Sequence, residues 1–159
     1  MKEHNMTKGK EVLSIKVTKV FIVLMAFAAV VMCFCGPKIV RYVMDRPSPI
    51  IQGETRFYVM LICGYILAVI TFIFLYMMYA LIRRIGEGEV FTSRNVVSLQ
   101  NISYLVIIVC IVSLILGFTC AYMCLTISAA AAFMTAIIRV VKNAFGMALE
   151  MKDELDYTV

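Results

Sequence analysis

Six cysteines, one histidine and ten acidic residues are the groups through which this 159-residue chain could do chemistry. Cys33 and Cys35 are spaced C-x-C, Cys120 and Cys124 are spaced C-x-x-x-C, and Cys63 and Cys110 stand alone. Zinc sites and redox boxes use C-x-x-C spacings or histidine partners, and His4 is the only histidine. The thiols therefore read as small apolar fillers, with a disulfide from Cys35 to Cys120 or Cys124 as the alternative. No Ser/His/Asp or Cys/His set, phosphate-cradling glycine loop or pair of carboxylates inside a pocket-forming segment occurs. The expectation is a non-enzymatic chain without metal or cofactor.

The elements that must carry these residues are membrane helices. Hydrophobic residues make up 63% of the chain and charged residues 16%, with a mean hydropathy of +0.95. Val20 to Pro37, Phe57 to Ile82 and Ile102 to Ile138 contain no charge. About 20 apolar residues span a hydrocarbon core of about 30 Å, so the first two runs cross once and the third crosses twice. The predicted fold is all-α: an integral membrane bundle of four transmembrane helices with a cytoplasmic helical extension at the C-terminus.

The expected boundaries follow from charge and helix breakers. Residues 1–19 form a lysine-rich cytoplasmic arm, 20–36 the first crossing and 37–56 an external loop. Gly36 and Pro37 are expected to end the first helix. The second crossing covers 57–82, a cytoplasmic loop and helix start 83–101, the third crossing 102–120 and the fourth 123–142, with a tail over 143–159. Gly117 to Cys124 is the expected turn region, and Ala129 to Ala132 would permit close approach of a neighbouring backbone.

Orientation comes from the basic residues. Eleven of the 15 Lys and Arg lie in the N-terminal arm, middle loop and tail, against four in the loop after the first crossing. That asymmetry predicts a multi-pass protein of the cell membrane with both ends on the cytoplasmic side. The same distribution argues against direct nucleic-acid binding, because the charges flank apolar runs and form no basic face. Membrane lipid is the immediate partner, and an oligomer is compatible with the composition.

The middle loop and tail carry the two specific motifs. In Glu89-Val90-Phe91-Thr92-Ser93-Arg94-Asn95, followed by Leu99, Thr92 fits an N-cap whose hydroxyl accepts an early backbone N–H. Phe91 and Val96 have the spacing of a hydrophobic staple. The chain closes on Glu154-Leu155-Asp156-Tyr157-Thr158-Val159. Together these motifs resemble the DUF2975 family of bacterial four-helix membrane proteins of unknown function. Length and the four apolar segments are similar too, although Tyr157 stands where that family more often has leucine. The resemblance implies a cytoplasmic helix-turn-helix regulator as a partner, since members are often encoded beside one.

Both motifs fall on the expected cytoplasmic side, while the crossings offer only Ser, Thr, Tyr and Cys. The functional expectation is an interaction or regulatory protein with a cytoplasmic docking face made of Phe91, Thr92, Asn95, Leu99, Glu150, Glu154, Asp156, Thr158 and Val159. Acidic groups at a helix C-terminus oppose its macrodipole, so the tail is expected to dock on Arg83, Arg84 or Arg94, or on a basic partner. The bland alternatives are a helix start and a solvated tail. The alternative function is a small transporter, a channel-forming oligomer or an immunity-type membrane protein.

Overall fold

The computed structural model describes the backbone of residues 2–157, with side chains for residues 13–152, Glu154 and Leu155. Four helices make up the chain: α1 (Lys2–Met44), α2 (Gly53–Gly86), α3 (Ser93–Thr119) and α4 (Met123–Tyr157). Each is long and apolar enough to cross a membrane. Large apolar side chains face outward along them, Phe34 and Tyr76 being 83% and 74% exposed. In water such a surface would aggregate; in lipid it is the solvated face.

α1 does not end at Pro37. It continues to Met44, so the expected loop over 37–56 shrinks to residues 45–52. Pro37 has no N–H to give the carbonyl of Cys33 one turn back, and its ring disfavours an unbroken helix. The Tyr65 hydroxyl of α2 donates to that freed Cys33 carbonyl at 3.4 Å, and the Tyr65 ring lies in van der Waals reach of Gly36. The neighbouring helix thus supplies the donor that proline lacks.

The end of α1 is closed by Arg56, in the first turn of α2. The residue is 4% exposed, and its guanidinium donates to the carbonyls of Val43, Met44 and Arg46 at 3.2, 3.3 and 2.9 Å. Cationic donors at a helix C-terminus satisfy orphan carbonyls and complement the dipole. The link then turns toward α3: the Ile50 and Ile51 N–H groups both donate to the Thr119 carbonyl. Ser48 closes the turn by donating its hydroxyl to the Ile51 carbonyl.

Among the described residues, close backbone approaches join α1 to α2, α2 to α3 and α3 to α4, so the helices pack in chain order and do not close a ring. The α3–α4 pair is the tightest. Small and polar groups face one another there: Ser128 Oγ donates to the Cys110 carbonyl at 3.0 Å, and Cys110 Sγ lies 3.5 Å from the Ser128 carbonyl. Of the Ala129–Ala132 run, Ala131 is the one turned inward, at 8% exposure. Lipid tails are as apolar as leucine, so close packing and interhelical hydrogen bonds hold such a pair, not apolar burial.

The turn between α3 and α4, at residues 120–122, lies inside the expected region. Its tightness depends on Gly117. A Cβ there would stand 2.5 and 2.7 Å from Leu125 Cδ2 and Cγ, and 3.1 Å from the Leu125 backbone nitrogen. Gly117→Ala should therefore destabilise the detergent-solubilised protein by about 1–3 kcal/mol, the usual range for overpacking, read as a lower unfolding temperature. Leu125→Ala in the same chain should recover most of the loss. An unchanged midpoint for Gly117→Ala alone would contradict the close approach.

Candidate functional site

The motif of the middle loop lies where α2 ends and α3 begins. α2 runs on through Gly86 and stops in a glycine-dependent cap: Gly88, at φ +91°, donates its N–H to the Ile85 carbonyl, and the Glu89 N–H donates to Arg84. These are the two bonds of a Schellman motif, which needs a left-handed residue at the Gly88 position. Asn95 then ties the loop down from α3. It is fully buried, and its amide donates to the Glu89 and Val90 carbonyls at 2.6 and 2.9 Å.

Thr92 occupies the N-cap position in extended conformation, but its hydroxyl makes no capping bond. The Thr92 hydroxyl is buried without a hydrogen-bond partner among the described residues. The expected capping bond is therefore absent; Asn95 holds the loop in a different way, by donating its amide back to loop carbonyls and not by accepting from helix N–H groups. Phe91 likewise finds an aromatic partner outside its own helix start: its ring centroid lies 5.6 Å from that of Phe145 on α4. Leu99 is buried beside Leu81 and Ile102, with Ile138 and Phe145 packed against that cluster. Asn95 and Leu99 thus position the surface from below, while Phe91 remains 43% exposed.

Arg83 and Arg84 have partners close by. Arg83 pairs with Glu87 at 2.9 Å, one turn along the chain. Arg84 donates to the Ser98 hydroxyl at 2.8 Å and to the Ala80 carbonyl at 3.2 Å. Arg94 is exposed in the first turn of α3, as are Glu150 and Glu154 on α4. The side chain of Asp156 and the residues Thr158 and Val159 lie outside the described residues. The hydrogen bond from Arg83 holds the Glu87 carboxyl below its ordinary range. A depressed carboxylate contributes above its unfolded pKa and loses that contribution as pH falls through the lowered value. The pair is solvent-exposed, so it fixes local geometry and adds little to stability.

Lys19 and Ile15 of α1 lie against Gly86, and Lys142 of α4 donates to Gln100 Oε1 of α3 at 2.9 Å. The start of α1, the middle loop and the last turns of α4 therefore share one end of the molecule. A family model, Protein of unknown function (DUF2975), matches residues 16–159. The chain belongs to the DUF2975 family. No curated protein and no solved structure matches it.

Two features of this DUF2975 chain have no distinct motif in the sequence. Met147, Met151 and Leu155 stand at i, i+4 and i+8 on α4, exposed by 58, 59 and 69%. Their spacing was the available signal, masked by the apolar composition everywhere else. Gln100, Ser103, Tyr104, Arg139, Lys142 and Asn143 also line one cleft between α3 and α4; in the sequence Arg139 and Lys142 show only where an uncharged run ends. All six cysteines are free thiols, and among the described residues no three His, Cys, Asp or Glu converge as metal ligands.

Asn95 gives the most direct handle on the loop. Asn95→Leu keeps the branched shape but strands the Glu89 and Val90 carbonyls, at a cost of about 1–3 kcal/mol. Trypsin should then cut after Arg94 roughly ten-fold faster or more, because the loop opens without global unfolding. Equal cleavage rates in the parent and variant would mean that Asn95 does not hold the loop.

Proposed function

We propose that this protein is a membrane-embedded interaction protein whose α4 extension, together with the Phe91 loop, docks a cytoplasmic partner. The supporting observation is the exposed stripe Met147–Met151–Leu155 on the last three turns of α4. α4 has 35 residues, about 52 Å at 1.5 Å per residue, whereas the hydrocarbon core is about 30 Å thick. Counting about 20 residues from Met123 reaches Lys142, so the stripe stands beyond the lipid on this reading. There its apolar side chains have no tails to solvate them, which favours burial against protein.

Helical geometry puts Glu150 and Glu154 along one border of the stripe. The partner that fits is a protein helix with an apolar face rimmed by Lys or Arg, laid along α4. Its charge complementarity would set register and encounter rate more than affinity. A small helix-turn-helix regulator, the partner that the family resemblance implies, would have to present such a helix. Phe91, held on Phe145, extends the apolar contact toward the middle loop.

Parallel pull-downs from detergent extracts test the reading with three baits: the full chain, a chain ending at Lys152, and Met147→Ser/Met151→Ser. A basic helical protein retained by the full chain should be lost from both variants. Identical partner lists from all three baits would contradict the proposal.

A further inference from the structure

Between α3 and α4, at the end where α1 begins and α4 finishes, lies a cleft of about 230 Å³ lined by Gln100, Ser103, Tyr104, Arg139, Lys142 and Asn143. It is smaller than the 300–1,000 Å³ pockets that take drug-sized ligands. Its lining is polar, with two cations and no acid. α3 contributes positions i, i+3 and i+4, and α4 contributes i, i+3 and i+4, so each helix presents one continuous face to the opening.

The donors in this lining are already oriented. Lys142 Nζ donates to Gln100 Oε1 at 2.9 Å, which leaves two ammonium protons for other acceptors. Gln100 Nε2 donates in turn to the Tyr104 hydroxyl at 2.7 Å, so the phenol accepts from the glutamine and keeps its own proton to give. Ser103 is 4% exposed, and its hydroxyl is buried without a hydrogen-bond partner among the described residues. A buried hydroxyl left unpaired costs free energy that a ligand oxygen would recover. Arg139 adds a planar guanidinium suited to bidentate contact with an oxyanion.

Position narrows the ligand further. Ile102 to Ile138 is uncharged, and Arg139 is the first charge after it. The cleft therefore opens at the level where a spanning helix meets lipid headgroups. Basic pockets between membrane helices hold anionic headgroups by these same contacts.

We propose that this cleft binds a phosphate group, with Arg139 and Lys142 supplying charge and Ser103 and Tyr104 supplying hydroxyl donors. The group is carried either by an anionic phospholipid or by a soluble phosphate. This site is separate from the α4 stripe, and its test uses no partner protein.

The experiment takes the full chain in neutral detergent through two arms. In the first, native mass spectrometry follows retention of phosphatidylglycerol against phosphatidylcholine from an equimolar mixture. In the second, thermal unfolding of delipidated protein is followed as inorganic phosphate is added at constant ionic strength. Phosphatidylglycerol preference assigns the site to lipid, and a phosphate-dependent rise in midpoint assigns it to a soluble ligand; either supports the proposal. Arg139→Gln/Lys142→Gln should reduce the preference or shift by roughly ten-fold or more, the loss expected for charge-assisted hydrogen bonds. Ser103→Ala removes one buried hydroxyl and should weaken the same readout in a chain that keeps both cations. Absence of both signals in the parent, or signals unchanged in both variants, would overturn the assignment.

Discussion

Backbone polar groups cannot be left unpaired in hydrocarbon, and much of this structure follows from where that rule comes under strain. α1 meets it twice. Pro37 frees a carbonyl within the helix and Tyr65 takes it up; at the helix end, three carbonyls converge on the Arg56 guanidinium. Both donors come from α2. The α1–α2 pairing is thus fixed by hydrogen-bond need as well as by apolar contact. The same accounting continues at Thr119, whose carbonyl receives two N–H groups from the α1–α2 link.

The second constraint is that apolar burial does not drive helices together in lipid. The buried residues reflect it, because Asn95, Ser103, Ser113, Ser128, Gly117 and Cys120 lie inside beside a small cluster of Leu81, Leu99 and Ile102, while Phe27, Phe34, Tyr76 and Phe133 face out. Close approach at Gly117 and the reciprocal contact of Cys110 with Ser128 make α3 and α4 one unit. That unit is what holds the polar cleft and the α4 stripe in fixed relation to the middle loop. Asn95 and the Phe91–Phe145 contact complete the connection.

Runs of uncharged residues made the four helices and the α3–α4 turn legible, since length against bilayer thickness leaves few solutions. Local signals did less well where a distant residue decides the outcome. Gly36-Pro37 reads as a helix end until Tyr65, on the next helix, is known to face Cys33. Arg56 reads as a loop charge until its carbonyl partners are in place. Thr92 has the right position for a cap, but which side chain ties the loop depends on reach, and Asn95 is the longer. The polar cleft needs two faces from different helices, so no single stretch of sequence announces it.

Function at this end depends on which side of the membrane it occupies. The excess of Lys and Arg on the segments gathered there argues for the cytoplasm. Asp45 and Glu150 are exposed at opposite ends of the helix array, so cysteines placed there report the two sides. Labelling of intact cells with a membrane-impermeant maleimide, scored above the signal of the parent chain, should mark Asp45→Cys and spare Glu150→Cys until the membrane is permeabilised. The reverse pattern, or labelling of both in sealed cells, would contradict the proposed cytoplasmic position of the α4 stripe.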